Sequence, residues 1–309
     1  MAKIEQELLG LHTSTNKKEK RIKKSTYFYN RLFQLFCLLS VVILGLALLS
    51  IIIFVGRTGL LVFLDVSFQE FFFSTIWEPY DDKFGAATFI LGTLALTGLT
   101  LLFAAPISIG VAIFTAEIAP DWLKRILRPV LDLLVGIPSI VYGYLGLTIL
   151  IPFLRNITGA TMGDGLLAAA IVLNIMVLPT ISRISDDAIS SVPMELREAS
   201  YALGSTRMQT IIKVILPAAS PGLFTAVILG MARSIGETMA VVMVIGNTPQ
   251  LPSNLLTPTA VLTSNIVNQI IDVEFDSTWN YALYMMAFLL LIISNLLIII
   301  IRKLRVKGA

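Results

Sequence analysis

Apolar residues in this chain fall into long unbroken runs, not into the alternation of a half-buried strand or the single stripe of a soluble helix. Six runs are long enough to cross a hydrocarbon layer about 30 Å thick, which takes roughly 20 helical residues. They are Leu32–Val55, Ala87–Ala116, Val130–Leu154, Leu166–Ile184, Ala218–Ile245 and Trp279–Ile301. Pro106, Pro138 and Pro152 lie in the second and third runs. Each is expected to kink or cap its helix, because proline lacks the N–H and crowds the preceding turn. Two long connections, Arg57–Lys83 and Asn247–Thr278, separate spans. The second contains NTPQLPSNLLTPTA, a mix of turn formers and apolar residues expected to pack partly back into the bundle.

Composition agrees with a bilayer solvent: 56% of the residues are hydrophobic and 14% charged, against about 45–50% apolar in soluble domains. No linker, repeat or soluble domain stands out, so one membrane domain is expected over 32–301, flanked by a basic tail at 1–31 and a short tail at 302–309. Lys and Arg cluster in the first tail (Lys17, Lys18, Lys20, Arg21, Lys23, Lys24), the second connection (Lys124, Arg125, Arg128), the fourth (Arg183, Arg197, Arg207, Lys213) and the C-terminus (Arg302, Lys303, Arg305, Lys307). The alternate connections hold only Arg57, Lys83 and Arg155 and are otherwise acidic. The positive-inside rule therefore predicts cytoplasmic termini and a cytoplasmic fourth connection. The basic tail suits either anionic lipid headgroups or a solvated arm, and the first apolar run reads as an uncleaved anchor.

The fourth connection, Arg183–Pro217, is the most informative polar segment. It carries Arg183, Asp186, Asp187, Glu195, Arg197, Glu198, Arg207 and Lys213 between two apolar spans, and such charges are expected to face water and a partner. A short helix from Pro193 to Ala202, closed by Gly204 as a left-handed cap, is expected there, followed by an amphipathic run to Pro217. From these residues alone the helix is either a docking knob or a generic interfacial helix.

The fifth span carries charge inside its apolar run, in GMARSIGETMAVVMVIGN. Arg233 lies about 16 Å along a helix from Gly222 at a rise of about 1.5 Å per residue, near the expected midplane. Glu237 follows at i+4, on the same face of an unbroken helix. A charge at the bilayer centre costs at least about 2.5–3.5 kcal/mol, so it requires a partner or a wet path. Two readings stand: a structural ion pair, or an anion site in which Arg233 supplies donors and Glu237 moderates the grip. Thr238 beside them, and Ser139 after the Gly136-Ile137-Pro138 break, are candidate neutral donors along the same path. That break is otherwise a simple kink. Asp132 is expected to sit in a helix's first turn, where the dipole favours a carboxylate.

Two sets of motifs carry a family resemblance. Glu198-Ala199-Ser200, Gly204 and Leu216-Pro217 resemble the EAA loop of membrane subunits of ATP-binding-cassette importers, with Ser200 in place of the usual second Ala. ARSIGETMAVVMVIGN, GIPSIVYGYLGL and APISIGVAIFTAEIAP resemble PstC-type permeases of phosphate importers, a likeness running from about Phe84 to Asn247. The resemblance implies an all-α, six-span, MetI-like type I importer permease with a core of about 84–301. It implies that Glu198, Ala199, Ser200, Gly204, Leu216 and Pro217 form the ATPase-coupling element. It further implies a PstA-like membrane partner, two PstB-like ATPase subunits that bind ATP and Mg, and a PstS-like external phosphate-binding protein. The bilayer is the remaining partner, and no nucleic acid is expected.

No G-x-x-x-x-G-K-[ST] loop occurs; GATMGDGLL lacks the lysine. One cysteine, Cys37, and one histidine, His12, leave neither a disulfide within the chain nor a cysteine or histidine metal cluster. A non-catalytic permease for inorganic phosphate, driven by alternating access, is the expected function. Molybdate or sulfate is the nearest alternative cargo, and a secondary anion transporter the nearest alternative class.

Overall fold

The structure, a computed structural model, describes the backbone of residues 2–307 and the side chains of residues 27–303. Backbone contacts divide the chain into a unit Met1–Val55 and a unit Gly56–Ala309. The first unit belongs to one long helix, α1 (Ala2–Leu60), whose side chains from Tyr27 to Phe54 are exposed. The backbone of the basic tail from Ala2 onward is thus helical. Its Lys and Arg side chains at 17–24 and His12 lie outside the described residues, as do the side chains of Arg305 and Lys307.

The second unit takes in the end of α1 and a 3-10 turn, Leu61–Leu64, and continues with the aromatic helix α2 (Phe68–Phe73), started by Ser67, whose hydroxyl accepts from the Glu70 N–H at 3.2 Å. A hairpin of two-residue strands, β1 (Trp77–Glu78) with β2 (Lys83–Phe84), pairs Trp77 with Phe84 and is an addition to the expected all-α set. The Glu78 carboxylate bonds the Lys83 ammonium at 2.8 Å and holds its pKa above the ordinary lysine value.

Spanning helices follow: α3 (Ala87–Ile113), α5 (Ser139–Leu145) continued by α6 (Ile151–Thr158), α7 (Leu166–Ser190), α10 (Leu216–Gly236) and α13 (Thr278–Lys307). Between α3 and α5 lies α4 (Asp121–Gly136); between α7 and α10 lie α8 (Met194–Ala202) and the short α9 (Arg207–Thr210). Beyond α10 come α11 (Met239–Val244) and α12 (Leu262–Gln269). Three single π-helical turns, Phe114–Ile118, Gly146–Leu150 and Ile211–Ile215, extend α3, α5 and α9. Among the described residues six stretches are long and apolar enough to cross a membrane.

The third span differs from the expected Val130–Leu154: the apolar-enough stretch is Ser139–Thr158, and α4 is a separate helix. Pro138 ends α4 because the residue before proline is pushed to extended backbone, and Ile137 has ψ of 129°. Asp132 consequently sits in the fourth turn of α4, not the first, and the favourable N-terminal dipole does not reach it.

Helix α7 is the centre of the second unit, packed along α3 and α10. Without water to expel, membrane helices associate by close packing, so small residues mark the contacts. A Cβ at Gly222 of α10 would lie 2.4 Å from the Ala188 Cβ of α7, and one at Gly230 would lie 2.5 Å from the Ile181 side chain. Residues 246–261 fold back over the end of the bundle: Leu255 and Ile245 carbonyls accept from Leu167 and Thr259 N–H groups at 2.8 and 3.0 Å. The Leu262 N–H donates to Thr93 Oγ1 at 3.1 Å.

Candidate functional site

The fifth span is broken where the sequence predicted continuity. Helix α10 stops at Gly236, Glu237 is extended (φ −72°, ψ 122°), and α11 starts at Met239. The i+4 spacing of Arg233 and Glu237 therefore no longer puts them on one helical face, and they form no ion pair among the described residues. Each charge instead suits a helix end. Arg233 occupies the last turn of α10, where carbonyl dipoles favour a cation. Glu237 precedes α11, and its Oε1 accepts from the Ala240 N–H at 3.3 Å. Arg233 is half-buried and donates from Nη1 to Thr180 Oγ1 of α7 at 3.0 Å. A guanidinium has five donors; no carboxylate partners Arg233 among the described residues.

A second break lies alongside. Gly143 of α5 packs where a Cβ would meet Ala240 Cα of α11 at 2.9 Å, and a Cβ on Gly146 would meet Val244 at 2.7 Å. The two short helices thus run parallel, which sets the Pro138 break level with the Glu237 break. Ser139 opens α5, and the Tyr142 hydroxyl spans the gap by donating to the Leu134 carbonyl at 2.9 Å. The Thr238 hydroxyl donates to the Gly236 carbonyl at 3.2 Å and Thr263 to the Glu237 carbonyl at 3.4 Å, which fixes the broken segment. Discontinuous helices facing one another inside a bundle leave backbone dipoles and polar groups available to an ion.

At the opposite end of α10, α8 stands out from the bundle. Its C-terminus is a complete Schellman cap: Gly204 N–H bonds the Tyr201 carbonyl at 2.9 Å, Ser205 N–H bonds the Ser200 carbonyl at 3.3 Å, and Gly204 has φ +81°. Glu198 and Ala199 are exposed, and Leu203 is 88% exposed beside them. Ser200 is the single buried residue of α8, its hydroxyl 3.0 Å from Thr210 Oγ1. The serine found where the importer loop usually has alanine is therefore satisfied locally. Leu216 is half-buried and Pro217 exposed, at the first turn of α10.

Several charges expected to face outward are spent within the chain. Arg183, Asp186 and Asp187 continue α7 instead of forming a loop. Asp186 is 1% exposed and receives Arg128 Nε of α4 at 2.8 Å, while Arg183 reaches Asp132 at 3.1 Å and Asp187 at 3.3 Å. The bond to Asp186 raises the Arg128 pKa, outweighing partial burial. Arg197 of α8 pairs with Glu117 in the π turn after α3, and its Nη2 donates to the Ile189 carbonyl in the last turn of α7 at 2.9 Å. Breaking a fully buried pair by removing one partner typically costs about 3–5 kcal/mol, the upper limit for this largely enclosed one. Sequence does not single out Thr180 or Glu117, and it places Arg128 only in a basic cluster, without its partner; a charged residue closing an apolar run, as Glu117 does, is the available signal.

Broken spans around an arginine, together with a capped exposed helix between the fourth and fifth spans, define a multi-pass membrane permease subunit. Residues 107–307 match the family described as binding-protein-dependent transport system inner membrane component. The chain belongs to this family, and so to the inner membrane. A probable ABC transporter permease protein, YqgH of Bacillus subtilis, is 50% identical over 262 residues, covering 84% of this chain and 85% of that relative. The phosphate transport system permease protein PstC of Haemophilus influenzae is 35% identical over 84% of this chain and 91% of its own length. Among solved structures, a membrane chain of the inward-facing MetNI methionine ABC transporter superposes with TM-score 0.58 and 25% identity, covering 76% of this chain and all of its own. The six-span architecture is thus that of MetI-type importer permeases.

Proposed function

We propose that the chain is the permease subunit of an ATP-driven phosphate importer. The observation that carries the cargo site is Arg233: a half-buried cation at a break between α10 and α11, with one neutral partner in Thr180 and no carboxylate partner among the described residues. Such a group can receive an oxyanion through its unused donors. Glu237, Thr238 and Ser139 line the neighbouring breaks and complete the path. The identity of the cargo rests on the similarity to phosphate permeases across most of the chain.

The engine is supplied by others. Helix α8, exposed and rigidly capped, is the coupling element, with Glu198, Ala199, Ser200, Gly204, Leu216 and Pro217 presenting or anchoring it to two PstB-like ATPase subunits that bind ATP and Mg. A PstA-like membrane subunit completes the pathway, and a PstS-like protein delivers phosphate from outside. The basic connections and both termini then lie in the cytoplasm. Alternation is required because a continuously open basic pore would leak anions.

In the reconstituted assembly, Arg233→Gln is expected to lower phosphate uptake by about tenfold or more, the scale of one or two lost charge-assisted hydrogen bonds, while binding-protein-stimulated ATP hydrolysis persists. Uptake equal to the wild type would remove Arg233 from the path.

A further inference from the structure

Helix α8 touches the bundle sparingly, so any displacement imposed on it needs a rigid route to the spans. Only Ser200 of α8 is buried, and its hydroxyl leads to Thr210, in the adjoining α9. The other polar route is Arg197. Its side chain is 14% exposed and that of Glu117 is 9% exposed. One guanidinium thereby joins three elements: α8 itself, the π turn at the end of α3 through the Glu117 carboxylate, and the last turn of α7 through the Ile189 carbonyl. The planar fork of arginine allows two acceptors to be held at once, which a lysine ammonium on a flexible stem does less rigidly. Helix α7 in turn carries Thr180, the hydrogen-bond partner of Arg233, so the junction is continuous with the wall of the cargo site.

We infer that the Arg197–Glu117 pair is the strut that transmits movement of α8 to α3 and α7. Arg197 and Glu117 are positioning residues, touching neither phosphate nor nucleotide. The inference rests on the reading of α8 as the ATPase-coupling element. A pair that merely stabilises the fold and a pair that transmits force make different demands. Stability depends on leaving no buried charge unpaired, and replacing both partners by neutral groups restores it. Transmission depends on the bridge itself, and a double neutral variant still lacks it.

The test uses the whole importer in vesicles with inorganic phosphate, binding protein and ATP, reading phosphate imported per ATP hydrolysed together with the Tm of the complex. Glu117→Gln and Arg197→Met are each expected to lower both readings, the ratio by about tenfold or more, within the usual span of coupling effects. The double variant Glu117→Gln/Arg197→Met is expected to regain Tm while its ratio stays low and no worse than the poorer single. Recovery of the ratio in step with Tm, or a wild-type ratio in both singles, would overturn the strut. If the double variant is itself unstable, Arg197→Lys decides: a lowered ratio at wild-type Tm supports the strut and an unchanged ratio overturns it. Should α8 not be the coupling element at all, Glu198→Ala and Gly204→Val would also leave the ratio and ATPase copurification intact. Should only the strut fail, those two variants remain defective.

Discussion

At the scale of single residues, backbone conformation and buried charge set the expected costs. Gly204 holds φ +81° with open space around its Cα, so a side chain there meets strain and no clash. Gly204→Val is expected to cost about 1–2 kcal/mol for the left-handed conformation and to loosen the α8 cap, read as lower ATPase copurification and uptake. Ser200→Ala is the mild counterpart. Thr210 keeps its bond to the Thr206 carbonyl at 3.2 Å, so the loss is limited to about 0.5–1.5 kcal/mol, and the wild-type rate of uptake is expected to persist. Asp186→Asn costs more: it removes the carboxylate from Arg128, while Arg183 keeps Asp132 and Asp187. Because the Arg128 side chain stays partly in water, Tm of the assembled complex is expected to fall by an amount matching about 1–3 kcal/mol of lost charge-assisted hydrogen bonding. An unchanged Tm would show that water replaces the carboxylate there.

At the scale of elements, close approach and interruption dominate. Gly222 and Gly230 let α10 lie against α7, and only the first meets a Cβ, that of Ala188, which cannot swing away. Gly222→Val is therefore expected to destabilise more than Gly230→Ala, by about 1–3 kcal/mol of overpacking, measured as loss of folded complex in detergent on heating. The interruptions also explain where reading by local pattern stopped. Six apolar runs named the spans because length and apolarity are local properties. The start of the third span was misplaced because α4 supplies VLDLLV directly before Gly136, and apolar continuity hides the break at Pro138. The fifth span looked continuous for the same reason, although Gly236-Glu237-Thr238 interrupts it.

At the scale of the whole molecule, charge bookkeeping depends on contacts between distant segments. Arg128 meets Asp186 across 58 residues and Arg197 meets Glu117 across 80, pairings that no spacing rule contains. The fourth connection therefore reads as a row of free charges, whereas the structure leaves Asp187, Glu195, Glu198, Arg207 and Lys213 exposed and commits Arg183, Asp186 and Arg197 to the bundle. The expected helix from Pro193 to Ala202 and its Gly204 cap lie where predicted, since capping is local chemistry. Arg233 was identified from its apolar setting, while Thr180, its partner on α7, became visible only through packing.

The central claim is that this subunit moves phosphate only when a nucleotide-hydrolysing partner drives it through α8. The direct measurement is accumulation of radiolabelled phosphate in sealed vesicles holding the chain and its membrane partner, with and without the ATPase subunits, binding protein and MgATP. Accumulation against a gradient is predicted only in the complete mixture. Uphill accumulation by the membrane subunits alone, driven by an ion gradient, would contradict the account.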